Sequence, residues 1–204
     1  MSVLRVCVKA SMLLALSAWL THLVACGEGD TAMPETPSAG QTPSPGGDAA
    51  AFSLTSEAFK NGETIPPRYT CDGENVSPPL AWSEPPAGTR RFALIADDPD
   101  APGGTFTHWL LYDIGRKARS MPEGIETVPM PAYGLAGTQG SNDGGGIGYG
   151  GPCPPEGPAH RYRFTLYALD EDMFLDSGAS KEELLSAMEG HVLAEAQLVG
   201  RYGR

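Results

Sequence analysis

The chain is poor in positive charge. Its 14 Lys and Arg stand against 25 Asp and Glu, for a formal net charge of −11 at pH 7. This argues against nucleic acid as a partner, since such binding is driven by basic side chains that neutralise phosphates. It also argues against attachment to anionic lipid through charge. Cysteine is scarce, with 4 in 204 residues. No two of them stand at metal-ligand spacing, which argues against a zinc site. No apolar run reaches the roughly 20 residues that a membrane-spanning helix needs. There is no Gly-x-Ser-x-Gly elbow and no His-Glu-x-x-His helix. Ser141-Asn142-Asp143 matches only a fragment of a penicillin-enzyme triplet, with no Ser-x-x-Lys partner in the folded domain. No internal repeat is evident.

What is present begins with a leader. Arg5 and Lys9 precede an apolar stretch from Ala10 to Leu20, interrupted by Thr21-His22 and followed by Leu23-Val24-Ala25-Cys26. Charge, length and order are those of a signal peptide over residues 1–25. The residues before Cys26 resemble a bacterial lipobox, which implies cleavage there and lipidation of Cys26, with palmitate among its acyl chains. Gly27 stands in place of the aspartate associated with inner-membrane retention. An exported protein anchored by lipid to a bacterial membrane is expected, the outer one if the source is Gram-negative. Removing the leader removes Arg5 and Lys9 and no acid, so the remainder is more acidic still. Residues 26–51, rich in Pro, Gly, Ser and Thr, read as a flexible tether. Residues 52–204 are one domain's worth of chain.

Proline punctuates that domain at Pro66-Pro67, Pro78-Pro79, Pro85-Pro86, Pro99, Pro102, Pro129, Pro131 and the cluster from Pro152 to Pro158. Long helices are ruled out there. Strand character is expected at Leu80–Trp82, Arg91–Ala96, Trp109–Ile114 and Tyr162–Leu169. Ser180 and Glu183 form a capping box before Leu184, Leu185 and Met188, and Gly190 suits a stop. The stretch from His191 to Val199 reads as a second short helix or a final strand. The expected class is mainly β, two packed antiparallel sheets with one or two short helices near the C-terminus. For Cys71 and Cys153 two fates are open, a disulfide or two buried thiols.

Two segments carry the chemistry. Asp97-Asp98-Pro99-Asp100-Ala101-Pro102 leads to His108-Trp109, and Gly148-Tyr149-Gly150-Gly151-Pro152-Cys153-Pro154-Pro155 leads to His160-Arg161-Tyr162. The prolines stiffen the first loop and hold its carboxylates in place. Ala101-Pro102 is the peptide bond assigned the cis form. The glycines from Gly144 to Gly151 let backbone N–H groups approach a ligand. Each piece alone has a plain structural reading. Together they describe an anion pocket of two histidines, amides and a hydroxyl, with aspartates setting the histidine charge.

These two segments, in this order, resemble the signature regions of the phosphatidylethanolamine-binding protein family and its bacterial Raf kinase inhibitor-like branch. The stretch from Ile65 to Trp82 and the ending from Leu193 to Tyr202 resemble that branch too. The resemblance covers residues 52–204 and implies a two-sheet β-fold with a small cavity for phosphate-type anions, including phospholipid head groups. Matched by motif, Asp98, His108, Gly148, Gly150, His160 and Tyr162 would line it, and Asp100 with Arg161 would brace the loop. Two departures stand out: extra residues separate the glycines from Pro154-Pro155, and no helix follows Tyr202. The implied function is non-enzymatic binding of a small anionic or phosphorylated ligand, with no cofactor and no metal. The alternative is an inhibitor or interaction module acting on a serine protease or another partner protein. A homodimer is open. An enzyme built on Asp98, His108 and His160 is the weakest reading, for want of a nucleophile.

Overall fold

The computed structural model describes residues 51–131 and 137–204. The leader and nearly all of the tether, Cys26 included, lie outside the described residues. The elements are β1 (Leu54–Thr55), a 3-10 turn (Pro67–Tyr69), β2 (Leu80–Trp82), β3 (Arg91–Asp98), β4 (Phe106–Gly115), β5 (Ser120–Met121), β6 (Thr138–Gln139), β7 (His160–Leu169), α1 (Lys181–Met188) and β8 (Val192–Tyr202). A three-stranded sheet runs β1-β2-β5 and a five-stranded sheet runs β6-β4-β3-β7-β8, antiparallel at every pairing. The protein is mainly β, with two antiparallel sheets and one α-helix among the described residues.

β3 explains the layering. Phe92, Leu94 and Ala96 project to one face, where they join Trp109, Leu111, Phe164, Leu166 and the small sheet's Leu54, Leu80, Trp82 and Met121. Ala93 and Ile95 project to the other, against Leu110, Tyr112, Met173 and the α1 residues Leu184 and Met188. A strand covered on both faces reads as a continuous apolar run, as β3 does, rather than as an alternation. Ser180 Oγ accepts from the Glu183 amide at 3.2 Å and Glu183 Oε2 from the Ser180 amide at 2.8 Å, so the capping box forms. Gly190 then turns the chain at φ +82°.

One open choice closes and two expectations change. Residues 192–202 form the final strand, one of the two readings left open for His191–Val199. Ala194, Ala196 and Leu198 pack inward while Glu195 and Gln197 face water, a period of two. The strands run further into the motifs than propensity indicated. Asp97 and Asp98 end β3, and His108 and His160 lie within β4 and β7. The Ala101–Pro102 bond is trans, like every other described peptide bond. Proline supplies the stiffness through its fixed φ and needs no cis isomer.

Cys71 and Cys153 form a disulfide with a Cα–Cα distance of 5.4 Å. It joins the loop after the 3-10 turn to the glycine–proline loop before β7. The same loops are also held by Cys71 N–H to Pro152 O at 3.1 Å, Gly151 N–H to Asn75 Oδ1 at 2.8 Å and Tyr149 O–H to Tyr69 O at 2.6 Å. The double variant Cys71→Ser, Cys153→Ser is expected to fold and to lose about 2–4 kcal/mol in chemical denaturation, the loop-entropy cost of an 82-residue separation. An unchanged midpoint would show that the disulfide adds nothing to the contacts around it.

Candidate functional site

The two motifs meet at one end of the central sheet, where β3, β4 and β7 lie side by side. Along β7, His160 and Tyr162 continue the face that carries Phe164 and Leu166, so the inward side chains change from polar to apolar along the strand. On β4 a bulge does the placing. Ala96 pairs with Trp109 and Asp97 with Thr107, which leaves His108 as the extra residue. A bulge re-aims the side chain it inserts. Trp109 thereby stays in the core, donating from Nε1 to Gln139 Oε1 at 2.7 Å, and His108 enters the cavity.

That cavity has a volume of about 380 Å³. Its polar floor is Asp98, His108, His160 and Tyr162, and its walls include Phe106, Pro102, Pro154 and the disulfide. Asp98 is buried, and a buried carboxylate needs partners. His160 Nδ1 stands 2.7 Å from Asp98 Oδ2, and the Asp100 amide donates to Asp98 Oδ1 at 2.8 Å. Asp100 in turn takes Arg161 Nε at 2.9 Å, Arg161 Nη2 at 2.6 Å and the Arg161 amide at 2.9 Å. Those bonds from Arg161 hold the Asp100 carboxyl well below the usual carboxylate range. The first loop is thus fastened to β7 at two successive residues.

His108 Nδ1 lies 2.6 Å from the Gly150 carbonyl oxygen. A carbonyl only accepts, so the proton sits on Nδ1 and Nε2 is left for the cavity. The ring packs 4.8 Å from Phe106 and edge-on to Tyr162 at 5.2 Å, centroid to centroid. Burial pushes the His108 pKa below its ordinary value, against the opposing pull of the Gly150 carbonyl and Asp98. The hydroxyl of Tyr162 is buried with no hydrogen-bond partner. Burial first, and then the nearby charge of Asp98, raise its pKa, although the two side chains do not meet hydrogen-bond geometry.

The glycines take another role than the one expected of them. Gly148 does not line the cavity, and its amide donates to Gly140 O at 3.2 Å. At φ +87°, a Cβ there would meet Gln139 Oε1 at 2.9 Å. The Gly150 amide donates to His108 O at 2.9 Å and the Gly151 amide to Asn75 Oδ1 at 2.8 Å. These three amides are consumed in holding the loop, so they are not available to cradle an anion. Gly150 instead grips His108 twice, at its backbone and at its ring. Asn142 ties the loop together, donating from Nδ2 to Gly148 O at 2.9 Å and accepting from Gly146 N at 3.1 Å. Phe106, Asn75 and Asn142 are cavity residues that sequence reasoning did not assign to the site, whereas the wall prolines Pro102, Pro154 and Pro155 belong to its two motifs. Only the position of Asn142 beside the glycine run hinted at it.

Among the described residues no group of three or more His, Cys, Asp and Glu is arranged to hold a metal. Fold and site together define a two-sheet β-fold of a binding type, with an apolar-walled cavity over a polar floor. The chain belongs to the phosphatidylethanolamine-binding protein family, whose family model matches residues 55–203. It is 50% identical over 153 residues to a UPF0098 protein of Methanothermobacter thermautotrophicus, covering 75% of this chain and 99% of that one. A UPF0098 protein of Aquifex aeolicus is 48% identical over 157 residues, covering 76% and 90%. Among solved structures, a phosphatidylethanolamine-binding protein homologue from Chlamydia trachomatis superposes with a TM-score of 0.69 at 39% identity, covering 76% of this chain and 99% of that one. YbcL of E. coli, described as a new member of the mammalian family, superposes with a TM-score of 0.69 at 32% identity, with the same shares covered.

An unpaired buried hydroxyl costs roughly 1–3 kcal/mol. Tyr162→Phe is therefore expected to raise the stability of the empty protein by about 1 kcal/mol, read by thermal or chemical unfolding. A loss of stability would mean that the hydroxyl has a partner after all.

Proposed function

We propose that this protein is a non-enzymatic binding protein whose cavity takes a phosphate-type anion, free or as a phospholipid head group. The observation that carries the reading is the convergence of three polar groups without protein partners on one cavity: His108 Nε2, His160 Nε2 and Tyr162 Oη. Each becomes a donor to an anion once its proton is in place. The apolar walls exclude water and strengthen such bonds. Asp98 orients His160, and Gly150 orients His108. In the same reading Cys26 carries lipid, and residues 27–51 tether the domain to a bacterial membrane, the outer one if the source is Gram-negative. Mass spectrometry of the native protein would detect the acyl chains on Cys26, and release of Cys26→Ser in soluble form is expected.

His108→Ala is expected to weaken phosphorylethanolamine binding about tenfold or more, ~1.4 kcal/mol, without altering the circular dichroism spectrum. Calorimetry giving an unchanged affinity would remove His108 from the site. The pH dependence has a definite sign. The empty pocket holds His108 uncharged at neutral pH because burial lowers its pKa. An anion beside Nε2 raises that pKa, so binding takes up a proton. Affinity should rise as pH falls through the bound-state pKa and level off below the free-state one. Buffers of different ionisation enthalpy would report the uptake in calorimetry, and a flat affinity from pH 8 to pH 5 would contradict it.

One observation favours a second reading as an inhibitor of a serine protease. Phe174 is 82% exposed at φ +52° on the loop between β7 and α1. That loop is clamped on both sides of it, by Met173 N–H to Asp113 Oδ1 at 2.8 Å and by the Tyr112 hydroxyl to Asp176 O. A rigid loop presenting one aromatic side chain suits a protease with an apolar specificity pocket. Inhibition of a chymotrypsin-like protease that Phe174→Ala abolishes would support it, and no inhibition by the parent protein would end it.

A further inference from the structure

The long edge strand β8 is covered over only half its length. In the antiparallel β7–β8 pairing the odd-numbered residues of β8 turn their backbone groups away from β7. At Arg201 and Val199 the protein's own chain meets them. Arg201 N–H donates to Glu63 O and Arg201 O accepts from Ile65 N, both at 2.8 Å, while Val199 O accepts from Gly62 N at 2.7 Å. The Asn61 side chain closes the run by accepting from Val199 N at 2.9 Å, and the chain then leaves the edge. The next two outward positions, Gln197 and Glu195, have backbone N–H and C=O groups with no partner among the described residues. No proline and no lysine protects this stretch, the usual defences of an exposed edge.

Beside that edge lies a groove of about 440 Å³, lined by Tyr167, Leu185, Met188, Glu189 and Val192. Leu185 and Val192 are each 43% exposed. Glu195 pairs directly across from Tyr167, a groove residue, so it lies on the groove side of the sheet; burial first, and then the Glu195 charge, raise the pKa of that phenol. Arg163 and Lys181 on that side are both engaged by Asp97, at 2.9 and 2.8 Å. Asp97 offsets only one of these two cations; within the groove itself the charged lining residue is Glu189, with Glu195 beside it.

We infer that the open edge at Glu195 and Gln197 is a docking site for an extended segment of a partner polypeptide, one that alternates apolar and basic side chains. Main-chain bonds to residues 195 and 197 give such a strand its affinity. Apolar residues settle against Leu185 and Val192, and a basic one meets Glu189 or Glu195. The chain's own tether does not suit the place. It carries Glu28, Asp30, Glu35 and Asp48, no Lys or Arg, and prolines at positions 34, 37, 43 and 45. A second copy of β8 brings its own Glu195 to an edge already acidic, and like charges on paired strands repel. The site is separate from the cavity, and its test does not depend on the anion.

The test uses a fluorescent peptide of three Lys-Val repeats, blocked at both ends, with a Glu-Val peptide as its counterpart. Anisotropy titration of the full chain is expected to show binding of the Lys-Val peptide at least about tenfold tighter than of the Glu-Val peptide. Saturating Lys-Val peptide should slow amide exchange at Glu195 and Gln197 about tenfold and leave that at His108 unchanged. Glu195→Lys should remove the preference, and Gln197→Pro, which deletes an outward N–H, should weaken binding. Equal affinity for the two peptides, or exchange at residues 195 and 197 that the peptide does not touch, overturns the assignment. So does a dimer that Gln197→Pro dissolves, because a second copy would then hold the edge.

Discussion

The site depends on one contact, the 2.7 Å approach of His160 Nδ1 to the buried carboxylate of Asp98. It joins the end of β3 to the start of β7 and so brings the two chemistry-bearing loops together. Without it Asp98 would be a buried charge held only by the Asp100 amide, at a cost of several kcal/mol. With it, His160 has a set orientation and tautomer, and its second nitrogen is directed to the cavity. The neighbouring Asp97 does the corresponding job on the other face of the sheet, pairing with Arg163 and Lys181 and so fastening α1. Two adjacent aspartates on one strand thus serve opposite layers, because successive strand residues point to opposite faces.

The cavity is made from irregularity in a regular sheet. The bulge at His108 and the glycine loop that follows β6 are the two departures from ladder geometry nearest the polar floor. The bulge gives His108 a direction that strand alternation would deny it. The glycine loop offers a carbonyl that fixes the ring's proton. Of the polar groups that face the cavity, the Tyr162 hydroxyl is buried without a partner, a costly arrangement in a folded protein.

Much of this was legible beforehand. The strands centred on Leu94, Leu111 and Leu166, the capping box at Ser180 and the paired motifs ending at His108 and His160 follow from local pattern, and so does the two-sheet class. The role of the glycines was not. A glycine run signals close backbone approach but not what is approached, and here it is the protein's own Gly140, His108 and Asn75. Nor was the state of the cysteines, since a spacing of 82 residues says nothing about distance in space. The stretch from His191 to Val199 was ambiguous because short apolar runs fit either period until neighbours choose one.

The sequence by itself determined the acidic character of the protein, the stiffness of the Asp98–Pro102 loop, the identity of the side chains offered to the site and the placement of its only described helix. Those properties are local, set by composition, proline geometry and hydrogen bonds within a few residues. Tertiary structure alone decided that Asp98 meets His160 across two strands, that His108 is the bulged residue, that Tyr162 keeps a free hydroxyl and that Cys71 reaches Cys153. Each of these depends on strand register, which is set by the packing of the whole core and by no short stretch of chain.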